Sequence, residues 1–422
     1  MTRADFLTTA FNLTLMSQLN ELIDGKGNFE LPSGVPDEAY WTKFKKQFYL
    51  DTGILDLRAN AASPLPVTVL DHFIKEYKDI QSAPSVKHNE IEEGDKEALR
   101  VALAKEINCS VKELAIMRNT TEALNNALMG FPFKKGDEVI ASTHEYDSMM
   151  GSLYQRQVKD GITIKTIDIP YRPASKEQVV ALFEKSITDK TRMFLVSHIS
   201  WISGQIYPVK EICELAKKHN IVTVIDAAQS FSHINIDVAA TGCDYLGTSL
   251  HKWCAAPLGT GFLYVKKDMI SKTFPLIGSY KYLPDAEAIE KFENTGTTTP
   301  VFNTANVSLQ FWRQLGLTRK MQRMQELKEY WTTQLQQLPG IEIVTNIDSE
   351  NSCGLAFFKI KGKSSSLVKK QLWEKHKIIV QAIENYKNQY VDYKEVNVIG
   401  VATPVFITKA DLDRLLNAIR SI

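Results

Sequence analysis

Lys252, in Ser249-Leu250-His251-Lys252, and Asp226, 26 residues upstream in Asp226-Ala227-Ala228-Gln229, are the two groups that one kind of cofactor chemistry requires together. A lysine amine condenses with an aldehyde to form a Schiff base, and a carboxylate facing a ring nitrogen keeps that nitrogen protonated. Pyridoxal 5'-phosphate needs both, because it is carried on a lysine and acts as an electron sink only while its ring nitrogen is charged. Each residue alone has an ordinary reading, Asp226 as a helix cap and Lys252 as a solvated surface lysine. The pairing in one strand-and-turn frame is what points to chemistry.

The segments around the pair alternate as they do in an α/β protein. Residues 221–225 (Ile-Val-Thr-Val-Ile) form a short β-branched run, expected for a buried parallel strand. Asp226 then falls at its carboxyl end, where open α/β sheets place their ligands. Gln229 follows three residues later, and its amide is a candidate donor to the cofactor's phenolic oxygen. Further upstream, Arg118-Asn119-Thr120-Thr121-Glu122-Ala123 follows an apolar strand over 114–117 and opens a helix over 123–129. Thr120, Thr121 and Glu122 thus sit at a helix N-terminus, an anion site that suits a phosphate. The same geometry serves a plain cap by Thr120 or Thr121, with Glu122 favourable in the first turn. Thr143-His144-Glu145-Tyr146 follows the strand predicted over 138–141, and Ser197-His198-Ile199-Ser200 ends the one over 193–196.

Together these motifs resemble the class V aminotransferase family of pyridoxal-phosphate enzymes (fold type I), in particular its isopenicillin N epimerase-like branch beside the cysteine desulfurases. The resemblance covers roughly residues 45–420. It implies an α/β fold with a large domain built on a mostly parallel sheet and a smaller α+β C-terminal domain. It implies that Thr121 and the neighbouring amides hold the cofactor phosphate, with Ser249 and His251 as further contacts. Tyr146 would stack on the pyridine face, with His144 as its competitor, and Ser200 or Ser203 would touch the phenolic oxygen. Phe292-Glu293-Asn294-Thr295-Gly296-Thr297 is similar to the family segment that crosses to a second subunit, so Thr297 would bind that subunit's phosphate in a homodimer with shared active sites. A polar surface loop is the plainer reading of the same residues.

The implied mechanism begins when an amino substrate displaces Lys252, whose freed amine becomes the general base. Transamination, epimerisation and β-elimination all follow from that start, and the fold does not choose between them. Two departures bear on the choice. Desulfurases need a nucleophilic cysteine on a loop expected near 383–394, and that stretch has none; Cys353 reads as packing. Many members also clamp the substrate carboxylate with an arginine near the C-terminus, and Val401 stands where that arginine is expected. Arg58, in Leu57-Arg58-Ala59-Asn60, is the first substitute, with a surface ion pair as its plainer reading, and Lys281 and Tyr282 are weaker ones. A non-catalytic, cofactor-binding regulatory protein is the alternative that the lost arginine suggests. A nucleotide-binding enzyme is a third, but no Gly-x-Gly-x-x-Gly or Walker-type motif occurs.

With 422 residues, 44% hydrophobic and 23% charged, the chain has the composition of a globular protein large enough for two domains. A net charge of +1 gives no reason to expect nucleic acid or a membrane as partner, and the resemblance implies a small-molecule amine. The eight histidines and five cysteines show no metal-ligand spacing, so no metal is expected. The chain order suggests an N-terminal arm over 1–59 packing on the small domain, a cofactor-binding domain over 60–300 and a small domain over 301–422. The first residues, Met1-Thr2-Arg3-Ala4-Asp5-Phe6-Leu7, resemble a degenerate twin-arginine signal with Ala4 in place of the second arginine. Leu7, Phe11, Leu15, Leu19 and Leu22 recur at helical spacing instead, so a retained amphipathic arm and a cytoplasmic protein are expected.

Overall fold

The computed structural model describes residues 29–278, 282–294, 300–348, 350–384 and 396–422. A two-residue strand, β1 (Leu55–Asp56), precedes the alternating part of the chain. Seven strands follow, β2 (Leu114–Met117), β3 (Glu138–Ser142), β4 (Thr163–Ile167), β5 (Thr191–Ser197), β6 (Val222–Asp226), β7 (Tyr245–Ser249) and β8 (Gly261–Val265). They form one sheet in the order β2-β8-β7-β6-β5-β3-β4. Only β8 runs antiparallel to its neighbours. Strands β5, β6 and β7 are almost wholly buried, as strands covered by helices on both faces must be. Their apolar runs are the part of the fold most plainly written in the sequence.

Because β2, β3, β5, β6 and β7 point the same way, their carboxyl ends share one edge of the sheet. Chain order also reverses there, since β4 lies outside β3 while β5 lies on its other side. Crevices in open α/β sheets form at such reversals. The helix Thr120–Gly130 packs closely over this region. A Cβ on Gly247 of β7 would come within 2.6 Å of Leu124, and one on Gly261 within 2.9 Å of the Asn119 backbone. Two glycines therefore let the helix start sit directly on the strand ends.

The remainder of the chain builds a second sheet from β9 (Ile341–Ile343), β10 (Leu355–Ile360), β12 (Gln381–Glu384) and β13 (Asn397–Ala402), all antiparallel, in the order β12-β13-β10-β9. The apolar run over 378–382 is split between two sheets. Its first part, β11 (Ile378–Ile379), pairs in parallel with β1, and its second part joins β13. One apolar run thus serves two partners, which alternation alone does not reveal. Helices Leu317–Leu335, Ser365–His376 and Lys409–Arg420 belong to this part of the chain. The segment before β1 is bound to it as well. Glu38 takes both terminal nitrogens of the buried Arg323 guanidinium at 2.9 and 3.0 Å, and Phe48 lies 4.6 Å from Phe406. The helix Pro300–Leu315, by contrast, packs against Val67–Ser82 and Pro84–Glu106. Among the described residues no helix is long and apolar enough to cross a membrane.

Candidate active site

The strand ends and the C-terminal segment enclose a cavity of about 660 Å³. Lys252 and Asp226 both line it, together with Thr120, Thr121, Tyr146, Gln229, Ser249, His251 and Arg58. Nine predicted residues, scattered over almost 200 positions, are therefore brought to one cavity. Glu122 and Ser200 do not line it. Thr297 lies outside the described residues, as does Lys281.

Asp226 is the last residue of β6, where its backbone pairs with Ser197 on one side and Gly247 on the other. Its carboxylate accepts from the Ala228 amide at 2.9 Å. Burial raises the Asp226 pKa, and the Lys252 charge and the Ala228 amide oppose that rise. The converse holds for Lys252, which burial pushes down and Asp226 pulls back up. Each charge is thus partly justified by the other. The turn after Lys252 is held from behind by helices Pro300–Leu315 and Leu317–Leu335. Lys320 Nζ donates to the Trp253 carbonyl at 2.5 Å, Trp312 donates to that of Cys254 at 2.5 Å, and Ser308 to that of Ala255 at 3.0 Å. These bonds fix a backbone in which Ala255 takes a left-handed φ of 47°, a conformation unfavourable for a residue with a Cβ.

At the start of helix Thr120–Gly130 the cap is Asn119, whose side chain accepts from the Glu122 amide at 2.9 Å. Neither threonine caps, contrary to the plain reading of that motif, and Asn119 was legible as an N-cap by residue type. Glu122 turns its carboxylate back onto the Arg118 amide at 2.7 Å and the Arg118 guanidinium at 3.1 Å, which explains its absence from the cavity. The Ser249 hydroxyl lies between the Thr120 amide, at 2.8 Å, and the Thr120 hydroxyl, at 2.7 Å. His251 Nδ1 is buried without a hydrogen-bond partner, and burial followed by the Lys252 charge holds its pKa at about 4. An unmatched ring nitrogen, hydroxyls and a helix N-terminus on one wall fit a phosphate group.

Tyr146 precedes helix Asp147–Asp160 and remains 44% exposed on the cavity wall, edge-on to Trp201 with ring centres 5.4 Å apart. His144 is instead buried, 2.5 Å from the Tyr207 hydroxyl and stacked on Tyr171. Ser200 is also buried, and its hydroxyl lies 3.4 Å from His144 Nδ1. Gln229 reaches the wall, but its amide nitrogen donates to the Asn60 carbonyl at 2.9 Å and its oxygen accepts from Trp253 at 2.8 Å. Beside these groups lies a carboxyl that no local pattern marks out. Glu145 is fully buried, accepting from Ser142 of β3 and Ser197 of β5, each at 2.6 Å. Burial, with Asp226 adding repulsion, raises its pKa to about 7.

On the opposite wall Arg58 follows β1, its Nε buried and without a hydrogen-bond partner. Asn60 donates to the Gln381 side chain at 2.5 Å, linking the N-terminal segment to β12. Ser366, Lys369 and Glu384 complete this side. Val401 is fully buried in β13 opposite Ala356 and does not reach the cavity. Among the described residues no cluster of histidine, cysteine or carboxylate groups could hold a metal.

Residues 56–400 match the family model described as "Aminotransferase class-V". An isopenicillin N epimerase from Amycolatopsis lactamdurans is 26% identical over 400 residues, covering 90% of this chain and 98% of that protein. Among solved structures, the cysteine desulfurase CsdA from Escherichia coli superposes with a TM-score of 0.78 at 20% identity, covering 92% of this chain and 98% of that one. A mutant of C-DES with glycine covalently linked to its pyridoxal-phosphate cofactor superposes with a TM-score of 0.77 at 20% identity, covering 91% of this chain and 98% of that one. The family match takes in the seven-stranded sheet, most of the four-stranded one and every residue of the cavity wall named above, so the chain belongs to the aminotransferase class-V family of pyridoxal-phosphate-dependent enzymes.

Proposed function

We propose that this chain is a pyridoxal-phosphate-dependent enzyme acting on the amino group of an amino acid or related amine, as an aminotransferase, an epimerase or a lyase. The observation that carries the reading is that Lys252 and Asp226 share one cavity wall and shift each other's ionisation. Pyridoxal phosphate, when bound, supplies an aldehyde for the lysine and a ring that draws electrons from the substrate's α-carbon. Lys252 is the covalent attachment point, and its lowered pKa enriches the neutral amine that can attack. When not bonded to the cofactor, the same Nζ would be the base that takes and returns a proton at the substrate's α-carbon. Asp226 would hold a proton on the cofactor's ring nitrogen, and that added positive charge would favour its ionised form.

Thr120, Thr121, Ser249 and His251 would hold the phosphate, and Tyr146 would cover one ring face. Gln229 would use its second amide hydrogen toward the phenolic oxygen. Ser200 and Glu122 act from behind, through His144 and Arg118. Arg58 is assigned to the substrate carboxylate. A cysteine desulfurase is disfavoured, because the Cys353 thiol is buried against the Gly204 carbonyl and pushed up to about 12. We further assign the arm to 1–59, the cofactor domain to 60–300 and the small domain to 301–422. A homodimer in which Thr297 completes the second subunit's site, and a cytoplasmic location, complete the reading.

The test is the visible absorption spectrum of the purified protein, before and after adding pyridoxal phosphate and then a panel of amines. A band that grows with the cofactor and shifts with one class of amine supports the reading. A protein that takes up no cofactor overturns it.

A further inference from the structure

We infer that Arg58 and Lys369 form a two-cation substrate site, so that the preferred substrate is an amino acid carrying a second carboxylate. The inference rests on the cofactor assignment above and follows from what charge is left on the cavity wall once that assignment is made. Among the described residues, six charged or titratable side chains besides Tyr146 line the cavity: Arg58, Asp226, His251, Lys252, Lys369 and Glu384. Lys252 and Asp226 are committed to the cofactor. His251 is neutral near pH 7, since burial holds its pKa at about 4. Glu384 is committed to the helix Ser365–His376, where it accepts from the Ser366 amide at 3.2 Å. Among the described residues Arg58, whose charge also faces the Asp56 carboxylate, and Lys369 remain as the two cations of the wall that the cofactor does not take.

Both are fixed in place by their elements. Lys369 follows Ser366 by three positions, so the two lie on one ridge of that helix. The helix is docked on β12 through the Ser365 hydroxyl, which donates to the Ile383 carbonyl at 3.1 Å. Among the described residues Lys369 forms no ion pair. Arg58 follows β1 directly, and its Nε is buried with no hydrogen-bond partner. The two cations sit at different depths, Arg58 with its Nε out of solvent and Lys369 exposed. They stand on separate segments of the wall, Arg58 just after β1 and Lys369 on the helix Ser365–His376, so the α- and distal carboxylates of one amino acid match one cation each. The position that would otherwise supply a clamp is Val401, which is buried away from the cavity.

The experiment is a titration of the cofactor-loaded, full-length protein, followed by its visible band. The probes are aspartate, glutamate and 2-aminoadipate, each compared with an uncharged ω-amide of the same length. At least one acid should perturb the band at a roughly tenfold lower concentration than its amide, equivalent to about 1.4 kcal/mol. Lys369→Gln should bring that ratio near one, and Lys369→Glu should invert it in favour of the amide. Arg58→Gln should weaken acid and amide together. The inference is overturned if acid and amide act alike on the wild-type protein, or if the ratio survives Lys369→Gln. A protein that gains no band with pyridoxal phosphate fails earlier, and that result overturns the cofactor assignment and this inference with it.

Discussion

The Ser249 hydroxyl sits between the backbone amide and the hydroxyl of Thr120, at 2.8 and 2.7 Å, and so joins the end of β7 to the first turn of a helix that begins 129 residues earlier in the chain. This contact gathers donors where the cofactor phosphate is assigned. Ser249→Ala should therefore weaken pyridoxal-phosphate binding by roughly tenfold, the worth of about one charge-assisted hydrogen bond. Pyridoxal, which lacks the phosphate, should bind the variant and the parent alike. Paired titrations with the two aldehydes check this, and an equal loss for both would place Ser249 elsewhere in the site.

Lys252→Ala should abolish covalent attachment, so that borohydride no longer fixes cofactor to the protein. Asp226→Ala should keep weak binding but lose nearly all turnover, because nothing then holds the ring nitrogen's proton. Asp226→Asn tests the charge separately, since the amide keeps the size of the carboxylate and lacks its negative charge. Retention of cofactor after reduction and denaturation measures the first, and turnover with a responsive amine measures the second. Borohydride-fixed cofactor at an unchanged level in Lys252→Ala would remove the central assignment.

The residues that do the assigned chemistry were legible because cofactor binding needs particular side chains at strand ends, and those ends are marked by apolar runs such as Val222–Asp226 and Leu114–Met117. What was not legible depends on contacts between distant segments. Glu145 lies beside Tyr146 with no local pattern to mark it, and only the approach of β3 to β5 brings Ser142 and Ser197 onto its two oxygens. Lys369 belongs to an ordinary surface helix until β12 carries that helix to the cavity. The split of residues 378–384 into β11 and β12 has the same origin, since the choice of partner strand lies outside the run itself.

Glu145 makes a pH prediction with a definite sign. Its pKa is about 7 in the folded protein against 4.5 for an unperturbed glutamate, so the folded state holds the proton over a range where the unfolded state has lost it. Its contribution to stability is therefore fully present below about pH 4.5 and is lost progressively as pH rises to about 7. Glu145→Gln keeps a buried amide that accepts from one serine and does not titrate. The variant should gain on the parent between those limits, by up to about 3 kcal/mol if the shift is fully realised. Urea unfolding of both proteins at several pH values gives the difference. A constant difference across the range would mean that Glu145 does not titrate in this window.

Restoring the missing arginine should fail. Val401 is fully buried in β13, with Ala356 opposite it on β10, and it faces no part of the cavity. An arginine there must either bury a charge without a partner or force the two strands apart, at a cost of about 3–5 kcal/mol. That is a large share of the stability of an ordinary domain. Val401→Arg should lower the unfolding midpoint sharply and leave the response to amino acids no stronger than in the parent. A stable variant that responds to alanine at lower concentration would instead show that β13 can turn this position toward the cavity, and Arg58 would lose its role as the substitute.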